Sequence, residues 1–172
     1  MNLRHIICLS VITTLGLVLL PGSAVSQQKS LKDQLVGTWR NVSTIVTRQD
    51  GTKVEPFGSN PIGVLIFTAD GNMALITTRS DIPKIASNNR LEGTPEEYRA
   101  IMRGLHAFFG THTVDEAAKS FTISVLGGTF PNEVGGTTTR TVTTITADEL
   151  KFTYPAGAAV GAVAEASWRR AK

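Results

Sequence analysis

Hydrophobic and polar residues alternate along most of the chain, in short runs that end at tight-turn sequences. Residues 36–49 are rich in Val, Ile and Thr and end at Asp50-Gly51, and residues 63–69 end at Asp70-Gly71. β-Branched residues favour half-buried strands, and Asp-Gly is a strong signal for a hairpin turn. The pattern therefore predicts consecutive antiparallel hairpins.

Six further segments have strand character and are bounded by turn residues: 52–57, 72–78, 121–126, 137–146, 150–154 and 162–170. Strands that follow one another in this way form an up-and-down antiparallel sheet. We predict an all-β fold, an up-and-down antiparallel barrel of about eight or nine strands, which is roughly the number that closes around one small ligand. A flattened sandwich fits the same periodicity and stays open as an alternative.

One main helix interrupts the strands in the middle of the chain. Thr94-Pro95-Glu96-Glu97 has the sequence of a capping box with proline at the first helical position. Apolar residues follow at helical spacing: Tyr98, Ile101, Met102, Leu105 and Phe109. This stripe predicts a helix that lies on the sheet or across a barrel mouth.

The first 26 residues have the layout of an export signal. Arg4 and His5 supply a basic start, residues 6–20 are mostly apolar, and small residues follow up to a cleavage site after Ala24 or Ser26. We therefore expect an exported protein, periplasmic or secreted, with a single domain over residues 27–172 and no stable membrane span after cleavage.

Charge and cysteine content narrow the class of partners. The chain has 17 Lys and Arg against 14 Asp and Glu, spread along its length. A nucleic-acid partner would require a clustered basic face, so we expect none. The only cysteine, Cys8, lies within the predicted signal, so the exported domain is expected to fold by packing without a disulfide.

Several motifs resemble the lipocalin-like family of small bacterial and fungal proteins, and more loosely the calycin group. Gly37-Thr38-Trp39 matches the Gly-x-Trp signature of a lipocalin first strand, and Trp168-Arg169-Arg170 matches the last strand. Further matching segments cover nearly all of the mature chain: 50–58, 65–71, 93–98, 109–111 and 114–119. The resemblance implies the barrel fold but no single established activity.

The resemblance also implies structural roles for Gly37, Trp39, Trp168 and Arg169. In the last strand of such a barrel, a basic residue packs over the tryptophan of the first strand. We assign this role to Arg169, because a guanidinium stacked on an indole contributes roughly 0.5 to 2 kcal/mol.

Seven residues are candidates for ligand binding: Tyr98, His106, Phe109, His112, Arg79, Arg140 and Phe130. An arginine that faces the interior could anchor a carboxylate or enolate, and histidine titrates near neutral pH. Ordinary core, helix-end or outer-surface roles remain open for all seven. His112 stands where the family resemblance leads us to expect an aromatic residue such as tyrosine.

The sequence predicts no metal site, no cofactor and no catalytic residue. It has no His-x-His, His-Glu-x-x-His or Gly-x-Ser-x-Gly pattern. The leading hypothesis is therefore that the barrel cavity binds a small apolar or amphipathic molecule. The alternatives are a cofactor-independent isomerase or cyclase that uses His106, Tyr98 or an arginine in that cavity, and a structural envelope module with a filled core. Whether the chain is an enzyme stays open, and the sequence favours binding.

Overall fold

A computed structural model describes residues 29–156 and 161–172. The predicted signal, residues 1–26, lies outside the described residues. The described elements are, in order, α1 (Leu31–Leu35), β1 (Gly37–Thr47), β2 (Lys53–Val54), β3 (Ile62–Phe67), β4 (Asn72–Thr78), α2 (Pro95–Gly104), β5 (Leu105–Asp115), β6 (Ser120–Gly128), the 3-10 helix η1 (Pro131–Glu133), β7 (Thr137–Ile145), β8 (Glu149–Pro155) and β9 (Val163–Arg170).

The strands form one closed antiparallel barrel. Strands β3 to β9 pair in sequence order, β1 pairs with β3, and β1 also pairs with β9 along most of its length. The short strand β2 is an additional strand that pairs with residues 46 and 47 of β1. The predicted up-and-down barrel is thus confirmed, and the pairing of the first and last strands rules out a flattened sandwich.

The two ends of the barrel differ. The short turns after β3, β5 and β7 lie at the end where β1 begins, and helix α1 covers this closed end with buried Leu31 and Leu35. The Glu116 carboxylate accepts hydrogen bonds from the backbone N–H groups of Leu31 and Lys32, at 2.8 and 3.0 Å. The longer connections lie at the opposite end, which we call the mouth.

Alternation with a period of two decides which side chains fill the barrel. The inward positions carry most of the large buried residues: Trp39, Leu65, Phe67, Met73, Leu75, Phe108, Phe121, Ile123, Leu150, Phe152 and Trp168. Several of the aromatic rings meet edge to face, as Phe121 does with Phe67 and with Phe152 at centroid distances of 5.2 and 5.3 Å. Such contacts favour one arrangement of the core.

The predicted helix forms, but it ends earlier than the apolar stripe suggests. The capping box at Thr94 and Glu97 is present in both directions. Helix α2 ends at Gly104, and Leu105 and Phe109 belong to strand β5, which hydrogen-bonds to β4 and β6 on either side. Pairing with two strands thus overrides the helical spacing. None of the helices α1, α2 and η1 in the described part of the chain has the length and hydrophobicity that crossing a bilayer requires.

Arg170, and not Arg169, packs over Trp39. The Cζ atom of Arg170 lies 4.0 Å from the centre of the Trp39 ring. Trp168 is buried inside the barrel, so its neighbour Arg169 points outward and is exposed. The assignment of the stacking role to Arg169 was therefore wrong by one residue.

Gly37 makes room for this arrangement. It adopts φ +130°, and a Cβ atom at this position would lie 2.7 Å from Nη1 of Arg170. A side chain here would have to displace the guanidinium from Trp39. The structure therefore explains why glycine precedes the tryptophan in the first strand.

Candidate functional site

A small cavity lies inside the mouth half of the barrel. Its wall combines apolar and aromatic side chains with a few polar ones: Thr44, Phe57, Leu75, Thr77, His106, Phe108, Arg140, Phe152, Tyr154, Ala166 and Trp168. The free volume is about 20 Å³. This is room for about one water molecule.

Arg140 is the charged group of this cavity. It lies on β7, where Thr137, Thr139 and Thr141 point outward, so that Arg140 points inward and is only 5% exposed. Its Cζ atom lies 3.6 Å from the ring centre of Tyr154 and 5.7 Å from that of Phe152. The sequence left two orientations of Arg140 open, inward or on the solvated outer face, and the structure shows the inward one.

The guanidinium of Arg140 lacks the partners that a buried cation normally has. Its Nε and Nη1 atoms are shielded from solvent and have no hydrogen-bond partner among the described residues. Burial lowers the pKa of Arg140, yet arginine keeps its proton in proteins. The cavity therefore contains a positive charge without an ion-pair partner, which is a costly feature in a finished core. The rings of Tyr154 and Phe152 and the more distant carboxylate of Glu133 attract it.

Further donors line the same cavity. Nε1 of Trp168 is buried and, within residues 29–156 and 161–172, has no hydrogen-bond partner. Burial raises the pKa of Tyr154, so its phenol stays protonated at neutral pH. The hydroxyls of buried Thr44 and Thr77 can donate as well. Asp and Glu are absent from the described wall.

A hydrogen bond closes the mouth beside this cavity. Nε2 of His106, at the start of β5, lies 2.8 Å from a carboxylate oxygen of Glu133 in η1. The backbone of Ala107 bonds to Thr129, which starts the same connection. The loop of residues 129–136 is thereby held against β5 at the barrel mouth.

The structure brings together two of the seven predicted ligand-binding residues, His106 and Arg140. Arg79 lies outside the barrel, where it pairs with Asp81 at 2.6 Å. Arg79 and Asp81 line a surface groove of about 300 Å³ beside α2, and this groove is separate from the interior cavity.

The three aromatic candidates do not line the interior cavity. Tyr98 lies on α2 and fastens the preceding loop to this helix, because its hydroxyl accepts a hydrogen bond from the Gly93 N–H and donates one to the Arg90 carbonyl. Phe109 lies on the outer face of β5 and is 56% exposed. Phe130 precedes η1 and is 48% exposed.

His112 is buried near the closed end, away from the cavity. Its ring packs edge-on against Phe67 at a centroid distance of 4.9 Å. In the described structure neither ring nitrogen has a hydrogen-bond partner. Burial lowers the pKa of the His112 imidazole from its usual 6.5. The His112 ring thus packs in the core as an aromatic side chain would, and it is neutral at pH 7.

This burial predicts a loss of stability in mild acid. As the pH falls below about 6.5, the unfolded chain takes up a proton at His112 that the folded chain takes up only at lower pH. The free energy of unfolding should therefore fall, by at most about 1.4 kcal/mol per pH unit. His112→Phe should remove this part of the slope, and His106→Gln, the matched histidine variant, should retain it. Denaturant unfolding at several pH values measures both, and an unchanged slope in His112→Phe contradicts the prediction.

Sequence reasoning missed most of the cavity wall. Phe152 and Tyr154 share the inward face of β8 with Leu150, so the alternation on that strand contained a usable signal. Thr44 and Thr77 lie in Thr-rich strands where inward and outward threonines look alike. Glu133 lies in a loop, and its contact with His106 spans 27 residues of sequence.

The sequence matches a known family, and the fold has counterparts among solved structures. The model of the lipocalin-like domain family matches residues 36–171 of this chain. No curated protein matches it significantly. Among solved structures, a lipocalin-like protein from Bacteroides uniformis is 16% identical with a TM-score of 0.46, and the match covers 80% of this chain and 99% of that one. A redesigned β-barrel is 14% identical with a TM-score of 0.43, covering 86% and 100% of the two chains. A de novo designed fluorescence-activating β-barrel is 12% identical with a TM-score of 0.42, covering 83% and 99%.

Proposed function

Because this chain belongs to the lipocalin-like domain family, we propose that it binds a small apolar or amphipathic molecule in the mouth half of its barrel. The single observation that carries this proposal is the set of unpartnered donors in the cavity. Buried polar groups in a finished core are nearly always paired, whereas Arg140 and Trp168 offer N–H groups that no described residue accepts. A ligand would supply the missing acceptors.

Binding requires the mouth to open. Pockets for drug-sized ligands usually have volumes of about 300 to 1,000 Å³, whereas this cavity has about 20 Å³ free. Two parts of the cover lie outside the strands and would move: half-buried Phe57, and the middle of the 129–136 loop, where Glu133 binds His106. Loops that rest on a rigid scaffold commonly control access in this way. The ligand would take the space that this cover now fills.

Filling the cavity should abolish binding. Ala166 is buried in the cavity wall, so Ala166→Leu should occupy the space of a ligand. The matched control is Ala74→Leu, on the outer face of β4. We expect 2-naphthol, an apolar body with one hydroxyl, to quench tryptophan fluorescence and raise the melting temperature of the wild type and of Ala74→Leu, but not of Ala166→Leu. Circular dichroism shows whether both variants fold.

Two results contradict the proposal. One is equal binding by a folded Ala166→Leu variant, which would place the ligand outside the barrel. The other is no response of the wild type to 2-naphthol or to a broader panel of lipids and metabolites. That second result supports a structural envelope module, the role that the small free volume favours.

The position of His106 supports a second candidate function, a cofactor-independent isomerase or cyclase. His106 and Arg140 line the same cavity. An imidazole can move a proton while a guanidinium stabilises an enolate-like oxygen. Once a ligand is identified, its conversion by the wild type, and loss of conversion with retained binding in His106→Gln, would distinguish catalysis from binding alone.

Export completes the proposed function. It is supported by the basic start, apolar run and small residues within residues 1–26. We expect protein recovered from the periplasm or the culture medium to lack the first 24 or 26 residues by intact mass. Full-length protein confined to the cytosolic fraction contradicts export.

A further inference from the structure

We propose that the ligand carries an anionic oxygen group of the carboxylate or enolate class, and that this group binds the guanidinium of Arg140. The inference rests on the proposed binding function and specifies the chemical class of the ligand. It follows from the charge of the cavity, from the absence of a matching acid in its described wall, and from the orientation of the guanidinium.

Arg140 carries a buried charge that no described residue pairs. Arg140 is 5% exposed and forms no ion pair with a described residue. An isolated buried cation is far less stable than a paired one, and the protein gives it no acid at hydrogen-bonding distance. An anionic ligand would gain a charge-assisted hydrogen bond and would neutralise Arg140 at the same time. A neutral ligand could gain only the first of these two benefits.

The composition of the wall excludes a cationic ligand. The described wall contains donors at Arg140, Trp168 and Tyr154 and no carboxylate. Glu133 attracts Arg140 only from a distance, because it lies at the mouth and is bound to His106 at 2.8 Å. A cation inside the barrel would therefore meet Arg140 without a compensating charge.

The orientation of the guanidinium shows where the anion would bind. Tyr154 covers one face of the guanidinium at 3.6 Å. The N–H groups of arginine lie in the guanidinium plane, so stacking leaves them free to donate. Nε and Nη1 are the atoms without partners. Their N–H groups point to different edges of the guanidinium, so a carboxylate or enolate oxygen would accept a hydrogen bond from one of them.

The other wall residues indicate the shape and polarity of the rest of the ligand. Phe108, Phe152 and Trp168 are buried aromatic residues of the same cavity. A flat apolar body would pack against their rings, with the anionic oxygen directed at Arg140. An apolar acid with a planar body therefore fits better than a small inorganic anion, which would leave these rings without contacts.

Three probes of the same shape test the charge preference. 2-Naphthoate, 2-naphthamide and 2-naphthamidinium differ in charge by one unit at each step. Isothermal titration at neutral pH should show the anion binding the wild type about 10- to 100-fold more tightly than the amide, since hydrogen bonds to charged groups contribute about 1.5 to 3 kcal/mol. The amidinium should not bind measurably.

Variants of two arginines test the assignment to Arg140. Arg140→Met should lose the preference for naphthoate and bind the amide at least as well as the wild type does. Arg140→Lys should retain a reduced preference, since it keeps the charge and loses the planar fork. Arg169→Met removes the same net charge from an exposed site and should bind all three probes as the wild type does. Melting temperatures show that each variant is folded.

The outcomes separate this inference from the proposed function. If naphthamide binds the wild type as tightly as naphthoate, or if Arg140→Met keeps the preference, the anion inference is overturned while binding in the cavity stands. If none of the three probes binds, the inference and the proposed function are overturned together. If Arg169→Met weakens naphthoate as much as Arg140→Met does, the preference reflects overall charge and the assignment to Arg140 is wrong.

Discussion

Arg170→Ala is expected to lower the free energy of unfolding by about 2 to 4 kcal/mol. The guanidinium of Arg170 stacks on Trp39 at 4.0 Å. It also donates hydrogen bonds to the carbonyl oxygens of Gln34, Val36 and Ala147, at 2.6, 2.9 and 2.6 Å. One side chain thus connects α1, the start of β1 and the turn before β8. Removal of the Arg170 side chain leaves three carbonyl oxygens without a donor and exposes the indole ring of Trp39 to solvent.

The neighbouring arginine provides the control. Arg169 is exposed on the same strand, so Arg169→Ala should change the free energy of unfolding by no more than about 0.5 kcal/mol. Denaturant unfolding of both variants at one pH measures the difference. Equal losses in the two variants would show that charge alone, and not the contact with Trp39, stabilises the closed end.

Arg140→Met is expected to have the opposite effect and raise the free energy of unfolding of the ligand-free protein by about 1 to 4 kcal/mol. Methionine keeps much of the apolar volume of the arginine side chain and removes a buried cation that no described acid neutralises. The variant loses the stacking contact with Tyr154, which is worth about 2 kcal/mol or less. The desolvation of the charge is the larger quantity.

The same unfolding experiment tests this second expectation. A gain in stability agrees with a residue that serves binding at a cost in stability, as residues of functional sites often do. A marked loss of stability in Arg140→Met would contradict our interpretation. It would show that Arg140 is a structural residue held by its contacts with Tyr154 and Phe152.

Local sequence patterns predicted the antiparallel strands, and the resemblance to the lipocalin-like family favoured a closed barrel over a sandwich. The Asp-Gly turns and the alternation of strands such as β6, where Phe121, Ile123 and Val125 are buried, are properties of neighbouring residues. The error at Arg169 was avoidable from the same rule, since a buried Trp168 requires the next residue to face outward. The end of α2 was not avoidable, because Leu105 and Phe109 fit a helix and a strand equally well and long-range pairing decided between them.

The candidate site was harder to predict because it depends on contacts between distant strands. Arg140 could be proposed from its place in a strand, but only the barrel shows that Tyr154 lies against it and that no described acid does. Tyr98 and Phe130 have suitable chemistry and lie in connections outside the cavity. His112 lies inward on β5, as His106 does, but at the closed end. His106 and His112 differ in their position along the barrel axis. Local sequence patterns do not show this position, because it depends on how the strands pair.

Native mass spectrometry of this protein, purified from the organism that produces it, would show whether the barrel is occupied. The wild type and Arg140→Met would be expressed and isolated in parallel, and the mass difference between native and denatured protein gives any bound molecule. We predict that the wild type carries a small organic acid that Arg140→Met lacks. A wild type that carries no small molecule, or the same occupancy in both proteins, would contradict the role of Arg140 as the anchor of a ligand.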